Sequence, residues 1–202
     1  MVNAFRIVRE VMYMEIGLGV IGFLLMYVSD FNQIIWRLKV FKPLFSVGIL
    51  ALIVSTGMMI SQYFVNDLKI SETVIILIIF LLSLGLLVYI LFFAIPFDDS
   101  YISQFNERSA YKKRIYALTR HPGIIPFTVI YLLIAYVLKT EITTIFCLLM
   151  IGMNVVYVYI QDSFIFPRLF TDYQEYKKTT PFLIPNIKSM KRMLKTFKKG
   201  AV

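Results

Sequence analysis

Histidine occurs once in this chain, in the stretch Tyr116-Ala117-Leu118-Thr119-Arg120-His121-Pro122-Gly123. An imidazole next to a guanidinium can hold an anionic group or move a proton near neutral pH. Further on stand Asp162, then Tyr173 and Tyr176, then Pro181 and Pro185. A carboxylate accompanied by aromatic rings suits a cation, through charge on one side and ring faces on the other. Arg120, His121, Asp162, Tyr173 and Tyr176 are therefore candidates for one polar pocket, with His121 and Asp162 as its chemically active members. The same spacing is also met by an ordinary interfacial Arg-His pair and an aspartate that merely ends a helix.

The elements that must position these residues are set by composition. The chain has 202 residues, of which 59% are hydrophobic and only 16% charged, and its mean hydropathy is +0.76. That is more apolar surface than a soluble domain of this size can bury, and it points to an integral membrane protein. The net charge of +9 comes from Lys and Arg in the segments between apolar runs and in the tail. Anionic lipid headgroups are thus the expected partner, not nucleic acid. Cys147, the single cysteine, lies within an apolar run. An intrachain disulfide and a cysteine-based zinc site are excluded, and no metal is expected.

In chain order, an apolar run from Val11 to Ser29 is broken only by Glu15. No small-residue cleavage pattern follows it, so it reads as a retained membrane helix and not a signal peptide. Its Gly17-Leu18-Gly19-Val20-Ile21-Gly22 satisfies G-x-G-x-x-G literally, but without a preceding strand it reads as helix-packing glycines. Asp30 to Phe41 has Phe31, Ile34, Ile35 and Leu38 at helical spacing, with Asp30 and Gln33 placed as a capping box, and predicts an interfacial helix. Uncharged runs from Leu44 to Val65 and from Thr73 to Phe97, around a polar turn at Asn66 to Glu72, are long enough to span a bilayer. After the polar loop Asp98 to Thr119, two more apolar runs, His121 to Leu138 and Ile142 to Gln161, form a hairpin about Lys139-Thr140-Glu141. The expectation is an all-α polytopic helical bundle of about five transmembrane helices. It divides into N-terminal helices (1–97), the region with the candidate residues (98–186) and a basic amphipathic tail (187–202), where Ile187, Met190, Met193, Leu194 and Phe197 recur at helical spacing among lysines.

Orientation follows from the Lys and Arg count. One side receives Arg37, Lys39, Lys42, Arg108, Lys112, Lys113, Arg114, Arg120 and the tail; the other receives Arg6, Arg9, Lys69 and Lys139. The tail is accordingly expected in the cytoplasm and the N-terminus outside. The hairpin then brings His121 and Asp162 to the same membrane surface. Asn154, Tyr157 and Gln161 give its second helix a polar face, as expected for a helix lining a protein interior.

Arg120-His121-Pro122 preceded by Tyr116, an acidic residue, Phe170-x-x-Tyr173-x-x-Tyr176, and the proline-bounded Pro181-Phe182-Leu183-Ile184-Pro185 occur here in one order. In this the segment from Ala110 to Asn186 resembles the isoprenylcysteine carboxyl methyltransferase family and its phospholipid-methyltransferase relatives. The resemblance implies S-adenosylmethionine as methyl donor and a lipid-like or small hydrophobic acceptor: an isoprenylcysteine carboxylate, a phospholipid amine or a thiol. It implies donor contacts from Tyr116, Arg120, His121, Pro122, Asp162, Tyr173 and Tyr176, with His121 as base where the acceptor must lose a proton. The chain departs from the family pattern after the R-H-P proline, where an aromatic residue two positions on and a glycine soon after it are usual but Gly123 and Ile124 follow and Pro126 comes early, and in the acidic pair, which is reduced to Asp162-Ser163. Outside the resemblance, an NADPH-dependent membrane reductase and a non-catalytic membrane scaffold or partner-binding subunit are the alternatives.

Overall fold

The computed structural model describes residues 2–64, 68–94 and 108–199. Residues 66–67 of the expected polar turn, 95–97 of the third apolar run, 98–107 of the polar loop and 200–202 of the tail lie outside the described residues, as do the side chains of Arg6, Arg9, Lys198 and Lys199. The fold is all-helical, 79% helix, with no strand among the described residues. The long helices are α1 (Val2–Ile34), α2 (Leu44–Tyr63), α3 (Ile70–Phe92), α4 (Ile124–Leu138) and α5 (Glu141–Ile160). Short helices follow: α6 (Phe166–Leu169), α7 (Tyr173–Thr179) and α8 (Ile187–Lys199).

Among the described residues, four helical segments are long and apolar enough to cross a membrane: Tyr13–Ile34, Lys39–Tyr63, Ile70–Phe92 and Glu141–Leu169. The run from His121 to Leu138, expected as a further span, yields only the 15 residues of α4. Its helix begins at Ile124, whose N–H bonds the His121 carbonyl at 3.3 Å, so His121 and Pro122 precede the helix. At about 1.5 Å per residue α4 is shorter than the hydrocarbon thickness of roughly 30 Å.

The chain forms two compact units. One comprises Met1–Ile78 and Ile130–Tyr157. Here α1 and α2 approach through glycine: a Cβ on Gly22 would meet the Gly48 carbonyl oxygen at 2.8 Å, and one on Gly48 would meet that of Gly22 at 2.5 Å. A Cβ on Gly19 would meet the Met150 sulfur at 2.8 Å, whereas Gly17 has open space. Two glycines of the G-x-G-x-x-G stretch thus serve close helix packing, as small residues do in membrane helices. Specific polar bonds add to this packing. Ser55 Oγ donates to the Glu15 carbonyl (2.7 Å), and a 2.8 Å bond joins Thr56 to the Tyr131 hydroxyl. The α4–α5 turn places Lys139 at φ 54°, and Thr140 and Thr143 then cap α5 reciprocally, each hydroxyl accepting the other's N–H.

The separate interfacial helix expected over Asp30–Phe41 does not form. Helix α1 runs through Asp30 to Ile34, and only a short 3-10 turn at Lys39–Phe41 follows. The cause is tertiary: Asp30 is buried and accepts the Tyr157 hydroxyl at 2.6 Å, so it does not act as a solvent-side cap. Asn32 closes the turn instead, with Oδ1 accepting the Leu38 N–H (2.8 Å) and Nδ2 donating to the Leu38 carbonyl (3.0 Å).

The other unit comprises Ile79–Val129 and Val158–Val202. After Ile160 the helix widens into a π turn, Gln161–Ile165, closed by the Phe166 N–H on the Gln161 carbonyl, before α6. Single π turns often accompany functional positions, because the wider turn re-aims the residues it carries. Both Asp162 and Ile165 are buried by this one.

Candidate functional site

All the candidate residues fall in the second unit, on three segments. The first is the 3-10 turn Arg114–Ala117 with the Arg120-His121-Pro122 sequence after it. Arg114 enters with φ 52°, and its N–H is held by Thr196 Oγ1 at 2.9 Å. The second segment is the π turn, and the third is α7 with the strand-like residues that follow. The backbones of the first and third are tied directly: the Arg120 N–H donates to the Pro181 carbonyl (3.0 Å) and that of His121 to the Phe182 carbonyl (3.3 Å).

Asp162 is the centre of the cluster. Its Oδ1 accepts Arg120 Nε at 2.7 Å and the Tyr173 hydroxyl at 2.6 Å, and its Oδ2 accepts Arg120 Nη2 at 3.0 Å. The pair is bidentate, with side chains 10% and 7% exposed. Two further nitrogen-bearing side chains surround it. Lys177 Nζ lies 3.1 Å from Oδ2, and His121 Nε2 lies 3.4 Å from Oδ1. A buried ion pair is tolerated only where its remaining polar atoms are satisfied. Here Arg120 Nη1 completes the set by donating to the Thr180 (2.6 Å) and Lys177 (3.3 Å) carbonyls.

His121 is buried, its ring parallel to Phe166 with centroids 5.6 Å apart and edge-on to Phe182 at 5.3 Å. Its Nε2 makes no hydrogen bond of good geometry despite the nearby carboxylate. Burial lowers its pKa, and this outweighs the opposing pull of Asp162. The ring is therefore neutral at pH 7 and available as a base. Tyr173 and Tyr176 pack on Ala110, Phe166 and Phe170. Burial raises both phenols, so both remain protonated donors. The Tyr176 hydroxyl donates to the Tyr116 carbonyl at 2.5 Å, and Tyr116 in turn donates to the Ile90 carbonyl at 3.3 Å. Burial pushes the Tyr116 phenol up to about 12.

The structure thus brings Arg120, His121, Asp162 and Tyr173 into direct contact. Tyr116 and Tyr176 form the next layer, and Pro122 is buried at the entry to α4. Ser163 is exposed, so the second position of the acidic pair lies outside the cluster. Three contributors escaped the sequence reading. Lys177 had a signal, since it follows Tyr173 at i+4 and so shares a helical face with it. Thr180 takes part through its backbone carbonyl, which carries no sequence signature. Phe166 comes into range of His121 across a π turn, which regular helical spacing does not anticipate.

No family model matches the chain, and no curated protein or solved structure does.

Proposed function

We propose that this chain is an S-adenosylmethionine-dependent membrane methyltransferase acting on a lipid-like or small hydrophobic acceptor at the cytoplasmic face. In this reading the tail is cytoplasmic, the N-terminus is outside, and α4 serves as a short fifth crossing. The observation that carries it is the position of Lys177. Its ammonium sits 3.1 Å from the Asp162 carboxylate and 5.7 Å from the centroid of the Tyr173 ring. A carboxylate and an aromatic face converging on one cation is the environment a sulfonium needs, and the lysine is a stand-in that can swing away because it is part-exposed.

The donor supplies an electrophilic methyl group, whose bond to sulfur breaks with the electron pair going to sulfur. The chain's own residues do the rest. Asp162 and Tyr173 favour positive charge at the donor position, and Arg120 fixes Asp162 in one orientation from both carboxylate oxygens. His121, neutral at pH 7, can take the proton of an amine or thiol acceptor. Phe166 and Phe182 exclude water around the imidazole.

The test is binding of S-adenosylmethionine and of S-adenosylhomocysteine to purified wild-type and Lys177→Met proteins, with labelled-methyl transfer to isoprenylcysteine, phosphatidylethanolamine and a small thiol. Removing a competing, partly screened ammonium should tighten donor binding by roughly three- to tenfold and leave the neutral-sulfur product within about twofold. A second reading has one observation in its favour: Arg120 spends its donors on Asp162, Lys177 and Thr180, as a purely structural ion pair would. If neither ligand binds either protein and no methyl is transferred, the methyltransferase reading fails, and binding of NADPH then separates a membrane reductase from a scaffold or partner-binding subunit.

A further inference from the structure

Helix α8 is packed the wrong way round for an amphipathic helix of a soluble domain. Its residues fall into three sectors, given about 100° per residue. Ser189, Arg192, Met193 and Thr196 form the sector turned to the protein: Ser189 is fully buried and the others are partly covered. That sector is mostly polar and is held by hydrogen bonds. Ser189 and Asn186 cap the helix start reciprocally, Thr196 Oγ1 accepts the Arg114 N–H, and Arg192 Nη1 donates to the Thr179 carbonyl and to Thr180 Oγ1. The apolar sector is left uncovered: Ile187 is 71% exposed, Leu194 56%, Met190 50% and Phe197 47%. The third sector, beside the apolar one, holds Lys188, Lys191 and Lys195, all exposed. No acidic residue occurs from Ile187 to Lys199.

We propose that the Ile187, Met190, Leu194 and Phe197 face of α8 is a docking surface for an anionic lipid leaflet, with the three lysines set on its headgroups. A helix buried by its polar side, with apolar side chains facing outward and cations along their border, matches the boundary between acyl chains and anionic headgroups. A protein groove would cover the apolar sector equally well, but an unbroken row of lysines without acids favours a surface of uniform negative charge. The helix needs no folding on arrival, because the Asn186–Ser189 cap and the Thr196 and Arg192 bonds already fix it. The inference is independent of the methyl-donor reading.

The test uses the full-length protein with Leu194→Cys in a Cys147→Ala background, labelled with an environment-sensitive fluorophore. It is reconstituted in nanodiscs of phosphatidylcholine alone or with phosphatidylglycerol, with and without brominated acyl chains. The expected result is bromine quenching in the anionic discs at least about twofold greater than in the neutral ones. Changing Lys188, Lys191 and Lys195 to Gln should remove most of that difference, since each basic residue near an anionic leaflet strengthens binding roughly fivefold. A second probe at Phe197→Cys guards against a local effect of the first label. Equal quenching in the two lipid mixtures overturns the anionic surface, and an unquenched probe in both overturns docking altogether. Probe-to-probe energy transfer between copies in place of quenching would assign the face to a second copy of this chain.

Discussion

The two units are built on opposite economies of contact. In the first, α1 and α2 meet at Gly22 and Gly48, where the lack of side chains lets the backbones approach, and polar bonds join separate pairs such as Ser55 with Glu15 and Asp30 with Tyr157. In the second, short helices too small to be stable alone are organised around one carboxylate with three nitrogen-bearing side chains about it. Lipid removes the hydrophobic reason for helices to associate, which leaves van der Waals fit, whereas charge-assisted bonds to a carboxylate and to backbone carbonyls can position segments that have little apolar surface. The difference teaches that a single substitution should act on volume in the first unit and on charge in the second.

The largest effect is expected at Asp162. Asp162→Ala leaves Arg120 and Lys177 buried or half-buried without their counter-ion and should cost about 3–5 kcal/mol. Thermal unfolding of the purified protein, with proteolysis to locate the loosened segment, checks this. If cleavage appeared first between α1 and α2, the contrast between the units would fail. Gly48→Ala comes next. Its methyl would stand 2.5 Å from the Gly22 carbonyl, so the helices must part, at a cost of about 1–3 kcal/mol. Gly17→Ala, with open space around it, should be neutral or stabilising by up to about 1 kcal/mol. Equal melting shifts for the two alanines would remove the case for glycine packing.

The smallest effect is on pH. Because burial lowers the His121 pKa below its ordinary 6.5, the unfolded chain takes up a proton that the folded site refuses. The associated stability is complete above about pH 6.5 and declines as pH falls below it, by at most about 1.4 kcal/mol per unit until the folded pKa is reached. His121→Gln should flatten that part of the stability-against-pH curve. A variant with the same slope as wild type would show that another group is responsible.

Much of this was legible in the residues themselves. Hydropathy marks the long helices because lipid leaves a helix no way to hide polar side chains, and the lysine-studded tail helix is plain in the 187, 190, 193, 194, 197 spacing, although Met193 turns to the protein and not outward with the other four. Arg120, His121, Asp162 and Tyr173 could be grouped because their side chains are what make the contact. The exceptions have physical causes. Asp30 and Gln33 imitate a helix start, and their side chains do bond at 3.2 Å, but a buried Tyr157 hydroxyl keeps Asp30 inside α1. The His121–Leu138 run is apolar enough for a span, yet its first residue, His121, is drawn into a backbone bond with Phe182, beside that of Arg120 with Pro181. Thr180 contributes a carbonyl, which every residue has.

The π turn at Gln161–Ile165 makes the site a matter of counting. A π turn holds one residue more than an α turn, so every side chain after it is out of phase by about 100° with the helix before it. Asp162 belongs to the first phase; Phe166 and Leu169 belong to the second. If the same residues closed as a regular helix at unchanged length, Phe166 would turn by about 100° and leave the His121 ring although no residue in contact with that ring had changed. Removing the exposed Ser163 would instead let the helix close regularly with Phe166 and Leu169 kept in phase. The chain is thus more forgiving of losing one residue at this point than of a substitution that forces a regular turn on its full length.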